Sequence, residues 1–82
     1  MKTNEMIDIQ IVRTNGSIFL NGSMNMNERI KMHLELKNYD VYFAYNTKDE
    51  NVMRVQPASD KILFDIIKYT VKNHICSEIL VD

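Results

Sequence analysis

Ile30-Lys31-Met32-His33-Leu34-Glu35-Leu36-Lys37 alternates apolar and polar residues without a break. Period two is the mark of a strand with one face buried. Read so, Ile30, Met32, Leu34 and Leu36 form its apolar side. The following segment alternates as well, through Val41, Phe43 and Tyr45. A turn at Asn38-Tyr39 then sets Leu36 opposite Val41, Leu34 opposite Phe43 and Met32 opposite Tyr45. It also pairs Lys37 with Asp40 across the strands. Tyr is a poor turn residue, because it resists positive φ. The competing reading makes residues 26–37 a helix with Asn38 at its C-terminal end. Its apolar stripe is Met26, Ile30 and Leu34, and it leaves Met32 and Leu36 off the stripe. The strand places more apolar residues on one side than the helix does. The expected fold is therefore α+β: an antiparallel β-meander of four to five strands, with one C-terminal helix packed on one face. The alternative order is ββαββα with residues 26–37 helical.

Upstream, residues 5–26 read as a hairpin. Asn15-Gly16 is a two-residue loop suited to a type I′ turn, since both residues tolerate positive φ. That turn pairs residues 5–14 with 17–26: Thr14 with Ser17, Arg13 with Ile18, Ile11 with Leu20, Ile9 with Gly22 and Ile7 with Met24. One face then collects Ile7, Ile9, Ile11, Ile18, Leu20 and Met24. The other collects Asp8, Gln10, Asn21 and Ser23, with Val12 opposite Phe19. A one-residue slip would mix the two sets.

Downstream, Asn46 to Asn51 is a polar loop and Val52 to Val55 a short strand ended by Pro57. Ser59 is placed to cap a helix and Asp60 to complement its dipole. The helix is expected over residues 60–74. Ile62, Leu63, Ile66, Ile67 and Thr70 face the core, Tyr69 lies on a flank, and Lys61, Asp65, Lys68 and Lys72 face water. Residues 75–82 fit either an extension of the helix or a last strand.

The chain has 82 residues, 45% of them hydrophobic and 26% charged, with a formal net charge of -1. These values place it among ordinary globular domains, and residues 1–82 are read as a single domain. A chain this short buries a modest core and has little room for a deep pocket. Near-neutral charge gives no global attraction to nucleic acid or anionic lipid. No stretch approaches the roughly 18 apolar residues of a membrane span, so no membrane association and a cytoplasmic location are expected. Nine Asn, ten Ile and seven Lys point to an AT-rich gene, as in low-GC bacteria and their phages.

Candidate chemistry is sparse. Cys76 is the one cysteine, so no intramolecular disulfide forms. His33, His74 and Cys76 are the soft metal-ligand candidates. His74-Ile75-Cys76 is too tightly spaced for a usual zinc pair, and no metal or cofactor is expected. No nucleophile elbow or glycine-rich phosphate loop is present. The carboxylates Asp8, Glu35 and Asp40 fall on expected wet faces, where a raised pKa has no cause. The chain is therefore not expected to be an enzyme.

With one helix on one sheet face, the opposite face shows Val12, Phe19, His33, Tyr42 and Ala44. An exposed apolar cluster in a small protein marks an interaction surface. Lys31 and Lys37 flank it, together with Asp8, Glu35 and Asp40, a mixture better matched to a protein than to a polyanion. The expected partner-binding residues are Phe19, Tyr42, His33 and Val12, with the acidic loop Asp49-Glu50. The order of elements resembles, in topology alone, small single-stranded nucleic-acid-binding dimers and phage-encoded inhibitors, including some anti-CRISPR proteins. Topology does not carry function. The expected function is a non-catalytic protein-interaction module, an inhibitor of a host protein encoded by a phage or mobile element. A homodimer is a further candidate association. The alternative function is a small dimer binding single-stranded nucleic acid in a groove of Phe19, Tyr42, Lys31 and Lys37.

Overall fold

The computed structural model of the chain describes residues 6–81. Its elements run β1 (Ile9–Thr14), β2 (Ser17–Gly22), α1 (Met24–Leu36), β3 (Tyr42–Tyr45), β4 (Val52–Gln56), α2 (Asp60–Lys72) and β5 (Ser77–Val81). The strands form one sheet in the order β3-β4-β2-β1-β5. All neighbours are antiparallel except β1 and β5, which are parallel. The fold is thus α+β, with a five-stranded mixed sheet and two helices, not a purely antiparallel meander with one.

The β1–β2 hairpin has the expected register, with Thr14 opposite Ser17, Ile11 opposite Leu20 and Ile9 opposite Gly22. Gly16 carries the positive φ, +88°, and Asn15 does not. The turn therefore has the type II signature, not type I′, which needs positive φ at both positions. The pairing is shorter than expected. Ile7 is 48% exposed, and Met24 begins α1 instead of facing Ile7. The expected strand start at residue 5 lies outside the described residues.

Residues 24–36 are helical, which overturns the strand expected over 30–37 and the Asn38-Tyr39 hairpin. Two local signals favour the helix. Ser23 caps it, its side chain accepting from the Met26 amide at 3.0 Å. Asn38 takes φ +60° just past its end, the left-handed exit that Asn tolerates. Ile30 and Leu34 are fully buried, whereas Met32 and Leu36 are 57% and 83% exposed. Both pairs are spaced i,i+4, and two residues of offset rotate about 200° around a helix. A perfect alternation can thus be two opposed helical stripes, only one of them buried. β3 pairs with β4 instead, Phe43 opposite Val55 and Tyr45 opposite Met53.

α2 starts where expected, with Ser59 accepting from the Ile62 amide. It ends at Lys72, and His74 leaves it with φ +57°. Ile62, Leu63, Ile66 and Thr70 are buried. Residues 77–81 are a strand beside β1, Ile11 opposite Ile79 and Val12 opposite Leu80. A parallel neighbour needs a long crossover, which α2 provides.

Both helices cover the same sheet face. Ile9, Ile11, Ile18, Leu20, Met53 and Val55 line it, each at 1% exposure or less, and Ile30, Leu34, Ile62, Leu63 and Ile66 meet them from the helices. By alternation, the residues between them on each strand point to the other face. Asn27 is also fully buried. Its Nδ2 donates to the Asn51 carbonyl at 2.9 Å, tying α1 to the β3–β4 loop.

Candidate functional site

The uncovered sheet face is ordered by register. Leu80 stands beside Val12, Val12 beside Phe19, Phe19 beside Arg54 and Arg54 beside Ala44. These five residues form one row across all five strands. Four strand spacings make it about 19 Å long. Largely polar rows flank it, with Val52 beside Asn21 the apolar exception. On one side Gln10 donates to Glu78 at 2.8 Å, and Asn21 stands next to Gln10. On the other, Gln56 donates to Ser17 at 3.0 Å and Tyr42 stands opposite Gln56. A shallow cavity of about 240 Å³ opens beside the row, between Phe19, Ala44, Val52, Arg54 and the start of the β3–β4 loop.

Val12 and Phe19 are neighbours in this row, half-buried. Tyr42 belongs to the same face, in the adjacent row, and is 62% exposed. Asp49 and Glu50 lie in the exposed β3–β4 loop at one end of the sheet. The loop folds on its own polar groups. The Asn46 side chain accepts from the Lys48 and Asp49 amides, and that of Asp49 from the Asn51 amide. Asp8 and Glu78 lie at this same end, so the rim there is acidic. Asp8 accepts from the Cys76 amide at 2.8 Å, locking the start of β1 to β5.

His33 is not on this face. It lies on α1, on the covered side, together with Lys31, Glu35 and the C-cap Lys37. The groove of Phe19, Tyr42, Lys31 and Lys37 is therefore not assembled, and Arg54 is the cation that stands beside Phe19. Arg54 and Leu80 were not assigned to the surface from sequence. The alternation Val52-Met53-Arg54-Val55-Gln56 marks Arg54 as outward once Met53 and Val55 are core. Leu80 depends on the pairing of residues 75–82, which sequence leaves open.

The helix layer holds a second polar constellation. Asp65, expected on a wet face, is only 8% exposed. The reason is α1, which lies alongside α2 and brings partners to it. His33 Nε2 donates to Asp65 Oδ1 at 2.8 Å, the Tyr39 hydroxyl donates to Oδ2, and Lys37 Nζ is 3.5 Å away. Burial pushes the Asp65 carboxyl up, but the His33 and Tyr39 hydrogen bonds and the His33 and Lys37 charges outweigh it, and the pKa is lowered. The same contact raises Tyr39, whose hydroxyl bonds a carboxylate. Tyr45 is pushed up to about 12 by burial and by its hydrogen bond to Glu28. The His33 ring packs against Tyr69 in a tilted arrangement, with centroids 4.6 Å apart and planes 42° apart.

Among the described residues no serine, threonine or cysteine is hydrogen-bonded to His33. Among them, too, no group of three or more His, Cys, Asp or Glu is placed to hold a metal ion, and no helix is long and apolar enough to cross a membrane. Comparison with protein-family models, curated proteins and solved structures finds no match for the chain.

Proposed function

We propose that this chain is a non-catalytic protein-interaction module whose docking surface is the uncovered sheet face. The row Leu80–Val12–Phe19–Arg54–Ala44 carries the proposal. Its apolar part, Leu80, Val12 and Phe19, is continued by Arg54 and Ala44 and flanked by largely polar rows, the layout of a small interface with an apolar centre and a polar rim. Its length of about 19 Å matches roughly 13 residues of α-helix lying across the strands. The acidic end formed by Asp8, Asp49, Glu50 and Glu78 favours a partner with basic residues on that side. The occupant is thus a basic amphipathic helix of another protein. Its apolar stripe covers Val12, Phe19 and Leu80. The narrower reading, an inhibitor of a host protein encoded by a phage or mobile element, rests on the composition rich in Asn, Ile and Lys. It fits a host target whose own nucleic-acid-binding surface is basic.

Site-specific photo-crosslinking in the producing cells tests this. A photoreactive phenylalanine analogue at Phe19 or Leu80 is expected to capture one and the same protein, and the same analogue at Phe64, exposed on α2, is not. Equal capture from Phe64, or capture of a second copy of this chain alone, contradicts the proposal.

A further inference from the structure

The side of the molecule away from the sheet face carries a cleft of about 390 Å³ between the helices. His33 and Lys37 contribute from α1 and its cap; Asp65, Lys68, Tyr69, Lys72 and Asn73 contribute from α2. Three lysines therefore converge on a space that holds one carboxylate. That carboxylate is already engaged, Oδ1 by His33 and Oδ2 by Tyr39, with Lys37 nearby. Lys68 and Lys72 make no ion pair among the described residues. They stand four residues apart on one helix, an arrangement that repels when nothing lies between them.

An apolar groove of about 270 Å³ adjoins this cleft, lined by Arg29, Met32, His33, Leu36 and Tyr69. His33 and Tyr69 line both spaces and pack against one another with tilted rings. Met32 and Leu36 are the exposed apolar stripe of α1, so this groove has an apolar wall that the core does not use. A cationic hollow continuous with an apolar and aromatic shelf fits a ligand with an anionic head and a flat apolar body.

We propose that the α1–α2 cleft binds a phosphate monoester carried on an apolar group. The phosphate sits among Lys37, Lys68 and Lys72, and the apolar group lies along Met32 and Leu36 beside the edge of Tyr69, over whose ring the Arg29 guanidinium stands 6.0 Å from the centroid. The Asp65–His33 pair is a positioning element: it fixes the His33 ring against Tyr69 and holds Lys37 at the mouth of the cleft. Charge-assisted contacts to three ammonium groups supply the head recognition. Neither the sheet face nor its partner enters this site, so the two proposals stand or fall separately.

The test is a ¹⁵N NMR titration of the full chain with inorganic phosphate, with phenyl phosphate, and with vesicles containing phosphatidic acid. Phenyl phosphate is expected to shift the amides of Lys37, Lys68 and Lys72 together with Met32 and Tyr69, and to bind more tightly than inorganic phosphate. Lys68→Gln/Lys72→Gln should weaken it roughly tenfold or more, while Lys31→Gln/Lys48→Gln, with the same loss of charge at residues that line neither space, should not. Met32→Ser should reduce the preference for phenyl phosphate over inorganic phosphate. Vesicle binding that needs Lys68 and Lys72, with no response to phenyl phosphate, assigns the monoester to a lipid headgroup. No shift in this cleft with any of the three probes overturns the proposal. So does equal weakening by the two double variants, which would reduce the effect to net charge.

Discussion

Asp65 shows how one residue changes meaning between sequence and structure. Helical spacing puts it on a stripe with Lys61, Lys68 and Lys72, and the packing of α1 then covers it. Because its folded pKa is lowered, the carboxylate contributes stability that is present above the ordinary Asp value of about 3.9 and lost as pH falls through the lower folded value. Asp65→Asn should therefore be less stable than wild type near neutrality, and the gap should close in urea unfolding below about pH 4. A gap independent of pH would contradict the ion-paired reading. Tyr45 has the opposite sign. Its pKa is raised to about 12, so its contribution is present below the ordinary Tyr value of about 10 and fades as pH climbs toward the folded one. Tyr45→Phe should flatten the alkaline limb of the stability curve. His74 is a simpler case: its φ of +57° is a conformation that glycine adopts freely and that costs other residues about 1–2 kcal/mol. His74→Gly should raise stability by about 1 kcal/mol in denaturant unfolding. A loss of stability would mean that the His74 side chain makes contacts that outweigh the strain.

Among the elements, α1 is the informative one. Met32→Ala and Leu36→Ala should each change stability by no more than about 0.5 kcal/mol, since both side chains are mostly exposed. Ile30→Ala and Leu34→Ala should each cost about 2–5 kcal/mol. A half-buried strand would make all four costly, so this series separates the two readings by chemical denaturation alone. The β1–β2 hairpin and α2 were legible in sequence because local and tertiary signals agree there: Asn15-Gly16 sits between matched alternating runs, and Ser59 precedes a stripe of Ile62, Leu63 and Ile66. Residues 30–37 were misread because the exposed stripe of Met32 and Leu36 is as apolar as the buried one. Hydrophobicity marks the core side only where the outward face is polar. The capping residue Ser23 and the exit residue Asn38 carried the correct signal. The position of β5 was not legible, because a parallel partner is chosen by the crossover and not by local pattern.

The whole molecule presents two candidate surfaces, the uncovered sheet face and the α1–α2 cleft, on opposite sides of one core. The sheet face was half legible. Val12, Phe19 and Tyr42 were placed on it correctly, and His33 was drawn there only by the false strand. Arg54 and Leu80 complete the row, and only the strand order β3-β4-β2-β1-β5 brings them into line. Since both faces pack on the same interior, their side chains can be changed separately. Phe19→Ser/Leu80→Ser alters two outward residues, neither of them in the core cluster. The direct measurement is partner capture by this variant beside its thermal unfolding. A cooperative transition within a few degrees of wild type is expected, on the order of the shift for 1 kcal/mol in a domain of this size, with the partner lost. Lys68→Gln/Lys72→Gln is expected to retain the partner. Full partner retention by Phe19→Ser/Leu80→Ser would contradict the assignment of the sheet face as the docking surface.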